Sequence, residues 1–183
     1  MRVLISLIVL ICITWYYTEY NDIWVIQNVL SIDDYRYLRC NLPREQLYFD
    51  TKTDAHVGQS GRKSVVISDP KIINVLNSVL DKYTVNVKIP CEYRLYYTGS
   101  HGMDWHRDER VLPSDYFECV LTLFNDSDSV FEYKDRLGLT HTVKPKANTM
   151  IMLKPEGVNH RVTPLTRGNR EILKFIIVPS SIT

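Results

Sequence analysis

Short apolar runs separated by turn residues fill the second half of the chain, and this pattern constrains the fold more than any other feature of the sequence. Each run has the length of a β-strand, and no convincing helix lies between them. Regular short strands of this kind predict a sandwich, a barrel or a jelly roll instead of a parallel α/β sheet. The eight runs are 91–98, 103–108, 117–125, 130–134, 139–144, 148–153, 159–164 and 170–178.

The chain before these runs begins with a predicted strand and a short helix. Residues 22–30 are apolar and rich in β-branched side chains, which is typical of a strand. Ser31 and Asp34 have the spacing of a capping box, so the helix is expected to begin at Ser31. Residues 41–62 contain proline and glycine among polar side chains, and they predict a loop with short pieces of structure.

A second helix is predicted to begin at Asp69 and Pro70. Aspartate suits the N-cap, and proline suits the first helical position, where no hydrogen-bonded N–H is needed. Apolar residues at helical spacing extend this helix to near Tyr83. We therefore expect a mainly β protein in which two N-terminal helices precede a core of eight strands.

An uncharged apolar segment occupies residues 3–17. It is a little shorter than the ~20 residues of a helix that spans a bilayer, so it suits a signal peptide or a short signal anchor, and a buried soluble element is the third interpretation. The aromatic residues 15–17 are typical of a membrane interface and unlike a cleavage site, which favours the anchor. We expect residues 1–20 to be this membrane segment and the remainder to face the endoplasmic reticulum lumen or an equivalent secretory compartment.

The charge balance bears on the partners of the protein. Lys and Arg number 22 and Asp and Glu number 21, so the formal net charge is +1. Proteins that bind nucleic acid usually have a basic surplus or patch, so we expect no nucleic-acid partner. The total of 183 residues fits one domain, which we place at 21–183 with its core at 91–179.

Three residues have the types and order of a metal site. His106 and Asp108 alternate on a predicted strand, so both side chains are expected on one face. A histidine and a carboxylate make two-thirds of a 2-His-1-carboxylate site, and His160 can supply the third ligand from another strand. The alternative for His106 and Asp108 is a surface ion pair.

Arg170 begins an otherwise apolar predicted strand, ten residues after His160. Burying an arginine there is costly without an anionic partner, and the planar guanidinium matches a carboxylate. The alternative is a solvated arginine at the edge of a strand. Arg167 is a weaker candidate because it lies in a predicted turn, where a charge is normally solvated.

The chain resembles the iron(II)- and 2-oxoglutarate-dependent dioxygenases, in particular the prolyl 4-hydroxylases and procollagen lysyl hydroxylases. Residues 94–108 contain RLYYTG and DWHRD, similar to the R-x-x-Y…H-x-D segment of that group. Residues 160–170, HRVTPLTRGNR, are similar to the lysyl hydroxylase pattern H-x-x-x-P-x-T-R-G-x-R. The early VIQNVLS segment before a helix also resembles the start of these domains. The similarity covers most of residues 22–179, with its strongest motifs in 94–179.

This resemblance implies a fold, a site and a reaction. The fold would be an eight-stranded double-stranded β-helix, or jelly roll. His106, Asp108 and His160 would hold Fe(II), Arg170 would bind the distal carboxylate of 2-oxoglutarate, and Tyr97 would help to bind it. O2 would be the second substrate, ascorbate a supporting reductant, and a Pro or Lys side chain of a protein or peptide the group that is hydroxylated.

Two positions depart from the pattern of the group, and other functions stay open. Ser127-Asp128-Ser129 stands where a Gly-Gly turn is usual, and Val120 stands where prolyl hydroxylases supply a second hydroxyl to the cosubstrate. The alternatives are a dioxygenase that acts on a small molecule or a nucleic acid base, a hydrolase with zinc in the same ligands, and a non-catalytic jelly-roll binding module.

Overall fold

The computed structural model describes residues 22–49 and 62–180, which form two helices and twelve strands. The helices are α1, Ile32–Asn41, and α2, Pro70–Asn77. A 3-10 turn spans Arg44–Gln46. The strands before residue 90 are β1 Ile23–Gln27, β2 Tyr48–Phe49, β3 Arg62–Ile67 and β4 Tyr83–Val85. The later strands are β5 Cys91–Tyr97, β6 Met103–His106, β7 Phe117–Asn125, β8 Phe131–Lys134, β9 Thr140–Val143, β10 Thr149–Leu153, β11 His160–Val162 and β12 Asn169–Pro179.

These strands form two antiparallel sheets. The larger sheet has the order β1-β10-β7-β12-β5-β3-β2, and β4 pairs with the far end of β12. The smaller sheet has the order β6-β11-β8-β9. Neighbours in a sheet are mostly distant in sequence, as in jelly rolls, and the architecture is mainly β, as the sequence predicts.

Each of the eight apolar runs forms a strand, and the helix starts follow their capping signals. The Ser31 side chain accepts a hydrogen bond from the Asp34 amide at 3.1 Å. The Asp69 side chain accepts one from the Lys71 amide at 2.8 Å, and Pro70 is the first residue of α2. Both caps satisfy amides that the helix itself leaves without a partner.

The predicted end of the second helix is wrong. The helix ends at Asn77, and the chain then turns through Asp81, whose φ of +45° is incompatible with a right-handed helix. Tyr83 continues the apolar spacing, but residues 83–85 pair with β12 as strand β4. Strand β3 was not predicted either, because the sequence analysis assigned its first residue to a loop and did not assign the rest.

The largest apolar core lies on one face of the large sheet. Leu38 of α1 and Leu76 of α2 share a buried cluster with Leu173 and Phe175 of β12. The opposite face of β12 lines a cavity between the sheets, described below. The apolar face therefore holds the sheet and the helices together, and the other face is available for polar side chains.

The expected membrane segment at residues 3–17 lies outside the described residues. Within 22–49 and 62–180, no helix has the length and apolar character needed to cross a bilayer.

Replacing Leu173 with alanine should destabilise the fold strongly. Leu173 is 0% exposed at the centre of the large sheet, so the truncation leaves a cavity and should lower the free energy of unfolding by about 2–5 kcal/mol. Leu139→Ala is the matched control, since Leu139 is 59% exposed and should change it by less than about 0.5 kcal/mol. Urea unfolding of both variants measures the difference, and equal effects would contradict this placement of the core.

Candidate active site

His106 and His160 lie side by side on adjacent strands of the small sheet. The two residues are paired in register between β6 and β11, and their ring centroids are 4.4 Å apart. His106 is 8% exposed and His160 is 5% exposed, so the alternative of a surface ion pair at His106 is wrong. Pairing of adjacent strands therefore brings together two histidines that are separated by more than 50 residues in the sequence.

The orientation of both rings is fixed by backbone carbonyls. His106 Nδ1 lies 2.7 Å from the carbonyl oxygen of Asp104, and His160 Nδ1 lies 3.1 Å from that of Val158. A carbonyl oxygen only accepts, so each Nδ1 carries the proton and each Nε2 keeps its lone pair. This tautomer is the one in which Nε2 can bind a metal.

Asp108 reaches the same point from a loop. The sequence predicts a strand that includes both His106 and Asp108, but β6 ends at His106, so strand alternation does not explain the position of Asp108. Its Oδ1 lies 3.7 Å from His106 Nε2 and its Oδ2 lies 3.6 Å from His160 Nε2. The amide of Glu156 donates to the Asp108 carbonyl oxygen at 2.8 Å and holds the loop in place.

The three side chains converge closely enough for one metal ion. One ligand atom from each of His106, Asp108 and His160 lies within 4.8 Å of the others. Burial lowers the pKa of His160 and outweighs the opposing effect of Asp108, so the imidazole is neutral at neutral pH. Two imidazoles and a carboxylate are the ligand set of 2-His-1-carboxylate sites, which leave coordination positions open.

Arg170 lies in the cavity that these ligands border. It projects from β12 into the space between the sheets and is only 4% exposed, so the alternative of a solvated arginine is wrong. Its Nε has no hydrogen-bond partner among the described residues. Burial lowers the pKa of Arg170, although the guanidinium remains charged. A buried cation with an unused donor is suited to an anionic ligand.

The structure does not bring Tyr97 into this cavity. Tyr97 contacts Phe49 edge-to-face, with ring centroids 6.0 Å apart, whereas its neighbour Tyr96 lines the cavity. Tyr96 is paired in register with Arg170 on one side and with Arg62 on the other. Burial raises the pKa of Tyr96, but the nearby arginines, Arg94 first, outweigh it and the net shift is downward.

Strand alternation could have identified Tyr96 in advance. Arg94 and Tyr96 are two residues apart on β5, so they share a face, and both line the cavity. Arg94 Nε donates to the Glu92 carboxylate at 2.7 Å. Two further charged residues of the cavity wall, Glu118 and Lys174, were not predicted, because each lies between apolar neighbours of its strand and belongs to no recognised motif.

The segment that replaces the usual Gly-Gly turn holds the loop before Arg170. The Asp128 carboxylate accepts from the amides of Thr166 and Arg167 at 3.0 and 3.2 Å and also from the Thr166 hydroxyl. Asp126 Oδ1 accepts from the Asn169 amide at 2.6 Å. Val120, the other departure, lines the cavity. These carboxylates fix the chain that leads into β12.

Solved structures with the same arrangement of sheets are known. A prolyl-4-hydroxylase from Pseudomonas putida matches with a TM-score of 0.61 and 18% identity, over 87% of this chain and 94% of that one. A prolyl hydroxylase from Trichoplax adhaerens, solved with a peptide fragment of hypoxia inducible factor, gives 0.64 and 13%, over 87% and 84%. The α-ketoglutarate-dependent carbocyclase SnoK of nogalamycin biosynthesis gives 0.65 and 13%, over 88% and 81%.

The chain has the fold of the 2-oxoglutarate- and iron(II)-dependent oxygenases. No protein-family model matches the sequence, and no curated protein does. The likeness to this oxygenase fold is therefore visible in the structure and in the short motifs around the site. The names of the three structures give two different activities, prolyl hydroxylation and carbocycle formation, so the shared fold leaves the substrate of this chain open.

His106→Ala and His160→Ala should each abolish tight binding of a divalent metal. Loss of a residue that only hydrogen-bonds a metal ligand can weaken metal binding by ~100-fold. Loss of the ligand itself should therefore weaken it by at least that much. His141→Ala is the control, because His141 lies on the exposed strand β9 and pairs with Asp135 at 2.8 Å. Titration with Mn(II) followed by electron paramagnetic resonance measures the affinities. Unchanged affinity in both site variants would refute this metal centre.

Proposed function

We propose that this protein is an Fe(II)- and 2-oxoglutarate-dependent dioxygenase that hydroxylates a C–H bond. One observation carries the proposal: a buried arginine, Arg170, shares a cavity with His106, Asp108 and His160 and has an unused donor there. A metal centre alone would fit many functions. A metal centre beside a buried carboxylate-binding cation fits a 2-oxo dicarboxylic acid.

The side chains fit both groups of this reaction. The two Nε2 atoms and the carboxylate of Asp108 suit Fe(II), which accepts imidazole and carboxylate ligands and keeps open positions. The Arg170 guanidinium suits the distal carboxylate of 2-oxoglutarate, since its planar fork can donate two parallel hydrogen bonds. Tyr96 replaces Tyr97 as the tyrosine in reach of that carboxylate, because it is the neighbour of Arg170 in the cavity.

The protein contributes orientation and exclusion of water. Bound iron and 2-oxoglutarate supply the chemistry by which O2 hydroxylates a C–H bond, with succinate and CO2 as the other products. Phe131 stacks on the His160 ring at 5.4 Å between centroids and holds its plane. Ile151 and Leu153 form apolar walls beside the ligands, which limits water around the site.

A Pro or Lys side chain of a protein is the substrate that we propose. The sequence motifs resemble those of prolyl and lysyl hydroxylases, and two structures with this fold are prolyl hydroxylases, one of them solved with a peptide. We further propose that residues 3–17 anchor the domain to a membrane with its site in a secretory compartment, on the strength of their apolar composition. Ascorbate would support turnover there.

Arg170→Ala should weaken 2-oxoglutarate binding and leave metal binding intact. Hydrogen bonds to a charged group are worth about 1.5–3 kcal/mol, so the affinity for 2-oxoglutarate should fall by roughly 10- to 150-fold. Arg167→Ala is a matched control, because Arg167 is exposed in the preceding turn. Calorimetric titration of the Mn(II)-loaded protein gives both affinities. Parallel loss of metal and 2-oxoglutarate would instead indicate misfolding.

Substrate-free turnover gives the test of activity. Purified protein with Fe(II), ascorbate and 2-oxoglutarate should release succinate slowly, and His106→Ala should abolish this release. A screen of Pro- and Lys-containing peptides, read by mass spectrometry, should then find a product that has gained one oxygen atom. If the wild type neither binds nor consumes 2-oxoglutarate, the proposal fails, and hydrolysis by the zinc-loaded protein or a non-catalytic role becomes the better explanation.

A further inference from the structure

An ion pair forms part of the wall of the cavity. Lys174 Nζ lies 2.9 Å from Oε2 of Glu118, and both residues line the same cavity as the metal ligands. Lys174 projects from β12, and Glu118 projects from the adjacent strand β7. The Lys174 side chain is 33% exposed and that of Glu118 is 9% exposed. The lysine side chain is therefore partly open, whereas the glutamate side chain is enclosed.

Packing alone does not account for this pair. Val120, Ile151 and Ile172 line the same part of the wall, so an apolar pair would suit these surroundings. Taking two charges out of water costs several kcal/mol per ion, and replacement by apolar residues is often neutral or stabilising. A lysine that is both paired and open to a cavity is better explained by a ligand that needs a cation at that position.

Lys174 lies on the same face of β12 as Arg170. The two residues are four positions apart, which in a strand separates their Cα atoms by roughly 13 Å. Both residues line the cavity that His106, Asp108 and His160 border. The cavity thus presents two cations along one strand, with the metal ligands on the facing sheet.

We propose that Lys174, oriented by Glu118, binds the carboxylate that adjoins the keto group of the cosubstrate, while Arg170 binds the distal carboxylate. This inference rests on the proposed function. An ammonium has three donors, and Glu118 is the acceptor that we find for Lys174 among the described residues. The remaining donors are available to the ligand. The ion pair with Glu118 restricts the rotamers of Lys174, so little side-chain entropy is lost on binding.

Two 2-oxo acids separate the roles of the two cations. 2-Oxoglutarate has both carboxylates, whereas 2-oxobutyrate has only the one beside the keto group. Lys174→Met should weaken both acids by a similar factor, on the order of 10-fold or more, because both contain the carboxylate that Lys174 binds. Arg170→Met should weaken 2-oxoglutarate alone. Anaerobic titration of the Fe(II)-loaded protein, followed by the charge-transfer absorption of the chelated 2-oxo acid, measures binding without turnover.

The matched variants distinguish loss of the Lys174 cation from a purely structural effect of the substitution. Lys174→Met leaves Glu118 enclosed without its counter-ion, so the double variant Lys174→Met/Glu118→Gln removes both charges and should bind both acids as weakly as the single variant. Lys174→Arg keeps the cation and should restore most of the affinity. Mn(II) affinity and the unfolding midpoint of the double variant should stay close to those of the wild type.

The other outcomes overturn the inference. Wild-type affinity of the double variant for both acids would make Lys174 a structural residue. Weakening of 2-oxoglutarate alone would place Lys174 at the distal carboxylate, and loss of Mn(II) binding would make it a support of the metal centre. If the wild type binds Fe(II) but neither acid, the proposed function itself fails, which is a different result from any of these.

Discussion

Strand β12 has opposite environments on its two faces, and both the core and the candidate site depend on this division. Leu173, Phe175 and Ile177 point into the apolar cluster that includes both helices. The alternate residues Arg170 and Lys174 point into the cavity between the sheets. Because side chains alternate along a strand, a shift of one residue in the register would bury the charges in the apolar core and expose the apolar residues to the cavity. The register of β12 is therefore strongly specified.

The charges in the cavity are costly, and the opposite face of the sheet offsets that cost. Arg94 and Lys174 each have a carboxylate partner, Glu92 and Glu118, whereas the Nε of Arg170 has no partner among the described residues. Each buried guanidinium or ammonium loses hydration that an internal pair only partly replaces. The apolar cluster on the other face provides the compensating burial. This division is expected of a binding site, where stability is given up locally to keep a ligand-ready cation in place.

The sequence predicted the strands well because their pattern is local, and it failed where tertiary contacts decide. All eight apolar runs form strands, and Ser31 and Asp69 cap their helices. Strand β4 was missed because Tyr83 was taken as the end of the second helix, and residues 83–85 become a strand only by pairing with β12. The same distinction between local pattern and tertiary contact applies to the site. The histidines were selected from their order and do lie together, whereas Asp108 reaches them through a loop and not by the strand alternation from which it was selected.

The turn at residues 126–128 shows how a departure from a family pattern can be compensated. A Gly-Gly turn allows two chains to approach closely because it has no side chains. In this protein the glycine that permits the close approach lies in the facing loop, at Gly168. Its φ is +75°, and an added Cβ would lie 2.7 Å from the Asp126 carbonyl oxygen. The side chains of Asp126 and Asp128 then supply hydrogen bonds to the loop that glycine could not. Since that loop leads directly into Arg170, the side chains that stand in place of the glycines also anchor the backbone of this buried arginine.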